Sequence, residues 1–172
     1  MRRFFAVIGS GLFFLLAPGT VAGLVPWWMS RWNFGTPVPG WLVPRVAGGV
    51  LVAAGVLVLL DSFARFALQG LGTPAPVFPT RHLVVTGLYR HVRNPMYLAV
   101  VAVIAGQGFV LGNVPVLEYS ALVWLAFHMF VVLFEEPVLK ATFGAQYDAF
   151  CAAVPRWIPR LSPWRGSDTG SQ

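Results

Sequence analysis

Residues 95–134, PMYLAVVAVIAGQGFVLGNVPVLEYSALVWLAFHMFVVLF, decide the class of this protein. Glu118 is the one charged residue among them. Gly112, Asn113 and Pro115 interrupt the run with turn chemistry, because glycine takes up the left-handed backbone and proline suits the first turn of a new helix. The reading is two apolar helices, 95–111 and 114–134, folded back as an antiparallel hairpin. A bilayer core asks for about 20 mostly apolar residues per crossing helix, and this stretch supplies two such segments, the first of them short.

Two more apolar segments lie upstream, at about 4–29 and 43–68. Across the 172 residues, 57% are hydrophobic and 10% charged, against roughly 25% charged in soluble domains. Mean hydropathy is +0.71. The expectation is a single all-α membrane domain over 1–172 with about four transmembrane helices and a C-terminal interfacial amphipathic helix. A loop at 69–94 and a segment at 135–172 would lie in the cytoplasm. Ten of the twelve basic residues fall on the side that carries both termini, leaving Arg31 and Arg45 for the other. The side rich in Lys and Arg is cytoplasmic. The location is thus integral and multi-pass, a bacterial inner membrane, with both termini cytoplasmic. The formal charge of +6 then orients the chain in its bilayer and does not mark a nucleic-acid partner. Residues 1–23 also resemble a cleavable signal peptide, but the apolar run continues through Trp28, which favours a retained span. Cys151, the one cysteine, excludes an internal disulfide and a cysteine-based metal site, and no metal is expected.

Polar groups in a bilayer are costly and need a reason. Asp61 and Arg65, one turn apart, can pair with each other. Glu118 sits near the outer end of its helix, within reach of water. Gln107 and His128 lack such an account, and His128 reads either as a helix–helix contact or as a functional group. The small-residue runs Ala47-Gly48-Gly49 and Ala53-Ala54-Gly55, taken as lipid-facing, permit pairing into a homo-oligomer.

Function-capable residues crowd into two places. The first is Thr80 to Tyr97, TRHLVVTGLYRHVRNPMY. Asn94 is a strong N-cap and Pro95 suits the first helical position, so a helix begins there with unpaired N–H groups and a positive dipole end, which favour a carboxylate or phosphate. The second is Glu135-Glu136. Two adjacent carboxylates at the end of an apolar helix repel each other and resist desolvation. Glu136 can pair with Lys140 one turn on, whereas Glu135 has no local partner. After Pro137, the apolar residues Leu139, Phe143, Tyr147, Phe150 and Val154 recur at helical spacing. They predict one amphipathic helix of roughly 16 residues, lying along the inner interface or over the loop and closed by Pro155 and Pro159.

In this order and spacing, Gly87-x-Tyr89, Arg93-Asn94-Pro95-x-Tyr97, the apolar hairpin, Glu135-Glu136, Phe143-Gly144-x-x-Tyr147 and Val154-Pro155-Arg156 resemble the isoprenylcysteine carboxyl methyltransferase and phospholipid methyltransferase family of integral membrane enzymes. The likeness covers about Thr80 to Pro159. It implies methyl transfer from S-adenosylmethionine, with Arg81, His82, Leu83, Val84, Tyr89, Asn94, Pro95, Met96, Tyr97, Glu135 and Glu136 lining the cofactor site. Glu135, Arg93 and His128 are the catalytic candidates. The partners implied are the lipid bilayer and a lipophilic or small-molecule acceptor bearing a thiol, amine or carboxylate. Two positions depart from the family pattern. The usual His before the proline is Asn94, which cannot carry a proton. An Arg one turn before the Glu-Glu pair, a clamp for the prenylcysteine carboxylate, is Val131 here, which argues against that substrate. The rival readings are a membrane reductase of the sterol-reductase type and a small transporter or assembly protein.

Overall fold

The computed structural model describes residues 16–35, 40–69, 83 and 85–165, and every regular element among them is helical. Helix α1 covers residues 16–30 and α2 covers Leu42–Gln69. Helix α3 is Pro95–Leu111 and α4 is Val114–Phe130. A π turn, Val131–Glu135, carries α4 without a break into α5, Glu136–Phe143, and α6 is Ala145–Ala153.

The hairpin forms as its turn residues require. Gly112 ends α3 in the left-handed region (φ 66°), and the Asn113 side chain accepts a hydrogen bond from the Val116 N–H at 3.1 Å, capping α4. By length and composition, two helices among the described residues are able to cross a membrane: Leu42–Arg65, of 24 residues, and the continuous Val114–Phe143, of 30. Only 28% and 22% of their apolar windows are buried, so their apolar surfaces face outward, as lipid demands and water penalises. Helix α3 is apolar but 17 residues long. The early part of the expected first span, up to residue 15, lies outside the described residues. Among the described residues there are therefore two helices of full spanning length, where about four were expected over the whole chain.

The hairpin's second helix runs on past its expected end at residue 134. Proline lacks an N–H and its ring clashes with the carbonyl four residues back, so Pro137 would break an ordinary helix. The π turn just before it, closed by the Glu136 N–H on the Val131 carbonyl, widens the helix and leaves Pro137 in the first turn of α5. The single amphipathic helix expected after Pro137 is instead two short helices, parted at Gly144, whose φ of 51° favours glycine. Lys140 pairs with Asp148 at 3.1 Å across that break, not with Glu136.

Packing between α2 and α3 relies on small residues. A Cβ on Gly48 would stand 2.6 Å from the Gly106 carbonyl, and one on Gly55 would stand 2.8 Å from the Ala99 carbonyl. The backbones thus touch at two levels one heptad apart, as in small-residue contacts between membrane helices. Gly48 and Gly55 are therefore spent inside the chain and do not face lipid for pairing with a second copy. Gln107 also acquires its reason. Helix α1 contains a π turn, Thr20–Leu24, and the Gln107 amide donates to the Ala22 carbonyl within it at 2.6 Å. Tyr119 donates to the Val21 carbonyl at 3.1 Å, and the Trp32 indole donates to Gln107 at 3.3 Å.

Gly48→Leu should lower the thermal midpoint in detergent, since forced overpacking costs about 1–3 kcal/mol. Gly49→Leu, whose Cβ would meet nothing within 4 Å, should leave that midpoint unchanged.

Candidate functional site

The loop that enters α3 is held from two sides. On one side, Arg65 at the end of α2 pairs with Asp61 at 2.7 Å, and its guanidinium lies over Gly87 where any side chain would stand. Gly87 has φ 55° and opens a 3-10 turn, Gly87–Arg90. On the other side runs the segment after α6, residues 154–164, a strap that pairs with the loop through its backbone. Arg93 N–H donates to the Pro155 carbonyl (3.0 Å), Arg160 N–H to His91 (2.9 Å) and Trp164 N–H to Arg90 (2.9 Å). Side chains reinforce it: Arg90 donates to the Trp164 carbonyl at 2.6 Å, and the His91 Nδ1 lies 2.8 Å from the Arg160 carbonyl. Beneath the strap, Tyr147, Phe150 and Val154 are buried among Leu83, Val85, Leu139, Phe143 and Trp164. The apolar stripe of the C-terminal helices is thus internal.

Asn94 precedes α3 as expected, but its side chain makes no cap. Its φ and ψ of −122° and 55° differ from a capping geometry, and the buried amide instead donates to the Arg156 carbonyl at 3.3 Å. Asn94 therefore ties the helix start to the strap and leaves the first-turn N–H groups of α3 without a side-chain acceptor.

The two carboxylates have separate surroundings. Both oxygens of Glu136 are taken up by arginines: Arg156 Nε to Oε1 (2.6 Å), Arg156 Nη2 to Oε2 (2.8 Å) and Arg93 Nη1 to Oε1 (3.0 Å). The Glu136 and Arg93 side chains are only 19% and 12% exposed, so the bidentate geometry counts for more than it would on a surface. The hydrogen bond to Glu136 raises the affinity of the Arg156 guanidinium for its proton. Arg93 Nη1 also meets the Cys151 sulfur at 2.8 Å, while the buried Arg93 Nε has no hydrogen-bond partner among the described residues. Glu135 Oε2 accepts from the Tyr97 hydroxyl at 2.8 Å. The Tyr97 ring packs on Phe127 with centroids 4.7 Å apart. Tyr89 belongs to the same neighbourhood: burial pushes its hydroxyl well above the usual tyrosine range, and the charge of Glu135 adds to the rise.

Of the other expected site residues, Leu83 packs in the cluster under the strap, and Met96 packs against the core between the helices. Pro95 is buried at the first position of α3. Arg81, His82 and Val84 lie outside the described residues. His128 sits on α4 and forms no ion pair among the described residues. Its Nδ1 accepts from the Trp157 indole at 3.0 Å, and its ring stacks on Trp124 at 5.5 Å. Val131, standing where an arginine clamp would be, is buried. The residue that sequence reasoning missed is Arg156. It takes the place at Glu136 that Lys140 was expected to fill, and nothing in the local sequence pattern signals that contact.

A family model described as phospholipid methyltransferase matches residues 43–146. Over 82 residues the chain is 36% identical to a protein-S-isoprenylcysteine O-methyltransferase of Schizosaccharomyces pombe, a match that covers 46% of this chain and 34% of that protein. The chain thus aligns with about a third of the length of that relative. The family match takes in α2, the loop, the hairpin and both glutamates, and ends before the strap.

Arg156→Gln should destabilise the protein by about 1–2 kcal/mol, the range for a charge-assisted pair that is partly open to solvent. Adding Glu136→Gln should cost less than the sum of the two single losses, because the two side chains are direct partners. Thermal unfolding of the two single variants and the double variant in detergent gives the coupling.

Proposed function

We propose that this chain, which belongs to the phospholipid methyltransferase family, transfers a methyl group from S-adenosylmethionine to a lipophilic or small acceptor at the cytoplasmic membrane face, holding the donor where Tyr89, Tyr97 and Glu135 meet. Membership of the family supports methyl transfer in a membrane setting and lends nothing to a reductase or a transporter. The observation that carries the reading is the unequal treatment of the glutamates. Glu136 is neutralised by Arg93 and Arg156. Glu135, its neighbour, accepts one hydrogen bond from Tyr97 and retains acceptor capacity for a ligand.

The residues present fit such a donor. Glu135 suits its ammonium or ribose hydroxyls, and the Tyr89 and Tyr97 rings suit adenine or the sulfonium charge. The first-turn N–H groups of α3 and the unpartnered Arg93 Nε suit its carboxylate. Arg93 acts as a positioning residue in this reading, since its Nη1 is already engaged by Glu136 and Cys151. The donor brings a methyl group already activated on a positively charged sulfur, so the protein need only position the reactants and exclude water.

His128 contributes as a hydrogen-bond donor. A tryptophan indole can only donate, so the Trp157 contact fixes the His128 Nδ1 as the lone-pair nitrogen and leaves the proton on Nε2. That edge can orient an acceptor atom but cannot take up its proton. A buried valine at position 131 offers no clamp for a prenylcysteine carboxylate at that position, which favours acceptors that do not need one.

Equilibrium dialysis of radiolabelled S-adenosylmethionine against purified protein tests the assignment. Wild type should bind, Glu135→Ala should weaken binding by at least about tenfold, the equivalent of one charge-assisted hydrogen bond, and His128→Ala should bind donor as wild type does while losing turnover. No binding by wild type, or equal binding by Glu135→Ala, would refute it.

A further inference from the structure

We infer that the strap, residues 154–164, is seated in the cytoplasmic leaflet of the bilayer through Trp157, Ile158 and Leu161, and that this seating braces the site around Glu135. The brace rests on the donor site proposed above; the seating does not. The expected membrane contact in this region was the amphipathic helix after Pro137, yet Tyr147, Phe150 and Val154 are buried inside the protein. What points outward is the strap. Ile158 is 77% exposed and Leu161 fully exposed, in an irregular segment whose backbone N–H groups at Arg160 and Trp164 are bonded inward to the loop. One exposed aliphatic residue is ordinary on any surface. Two beside an indole, on a segment already pinned along a spanning helix, need a solvent that is not water.

Depth gives a second and independent argument. The Trp157 indole donates to His128 and packs against Trp124 with centroids 6.3 Å apart. His128 lies seven residues before Glu135 on the continuous helix, or about 10 Å toward its middle at 1.5 Å per residue. The strap therefore dips beyond the level of the carboxylates, next to the outward-facing Trp124, Leu125 and Met129 of α4. Its apolar side chains continue the lipid-facing surface of that helix, which commits the occupant to bilayer and not to a second copy of the chain. Charge agrees: residues 154–165 hold no acid, and with Arg156 engaged by Glu136, Arg160 and Arg165 leave a basic rim behind the apolar anchors that suits anionic headgroups. Because Arg156, Pro155 and Trp157 of this strap hold Glu136, Arg93 and His128, lipid seating and site geometry are linked.

A nitroxide on Leu161→Cys, in a Cys151→Ser background so that position 161 carries the single thiol, tests the seating in nanodiscs containing phosphatidylglycerol. Power saturation should show relaxation by oxygen several-fold stronger than by a water-soluble nickel chelate. Relaxation dominated by the nickel chelate would overturn the seating, and so would dipolar broadening between labels, which would assign the surface to a second copy. Ile158→Glu with Leu161→Glu, at unchanged helical content, should weaken S-adenosylmethionine binding about tenfold in the same nanodiscs. Unchanged binding would overturn the brace. Failure of wild type to bind the donor would instead refute the donor site and leave the spin-label result standing.

Discussion

Glu136 is the constraint from which the rest of this architecture follows. A half-buried carboxylate seven residues before the end of the continuous helix Val114–Phe143 must be neutralised, since an ion withdrawn from water without a partner costs several kcal/mol. The chain meets this with two arginines from different places. Arg93 comes from the loop before α3, and Arg156 comes from the strap after α6. Three distant segments are thereby drawn to one point. The Asn94 side-chain amide donates to the Arg156 carbonyl and the Arg93 N–H to the Pro155 carbonyl at the same junction, so the start of α3, the start of α5 and the C-terminal strap are fixed relative to one another.

Once Glu136 is satisfied, its neighbour is available for a different task. Adjacent residues on a helix point in different directions, and Glu135 turns toward Tyr97. The π turn between His128 and Glu135 sets that direction, because an extra residue in one turn shifts everything beyond it around the helix axis. Such turns recur at functional sites. The turn also lets Pro137 follow without ending the helix. One local irregularity thus aims the carboxylate and preserves the continuity of the span.

The sequence made some of this legible and concealed the rest. The hairpin could be read because Gly112 and Asn113 carry local turn chemistry, and Asp61 with Arg65 because a pair one turn apart needs no tertiary knowledge. Glu135 stood out because it lacked a local partner. The roles of Asn94 and Arg156 could not be read, since each depends on a contact some 20 to 60 residues away: Arg156 reaches Glu136 and Asn94 reaches the Arg156 carbonyl. The π turns left no pattern in the apolar periodicity. The stripe of Tyr147, Phe150 and Val154 was correctly apolar, but periodicity cannot distinguish a face turned to lipid from one turned to the protein's own loop. Gly48 and Gly55 were ambiguous in the same way.

In the proposed site the methyl donor sits against Tyr89, Tyr97 and Glu135, with Glu136 serving structure. Ultraviolet cross-linking of methyl-labelled S-adenosylmethionine to the purified protein, followed by peptide mapping, addresses it most directly. Label should be confined to peptides containing residues 89–97 and 127–135. Label concentrated instead on the far half of the molecule, in peptides from residues 22–53, would contradict it.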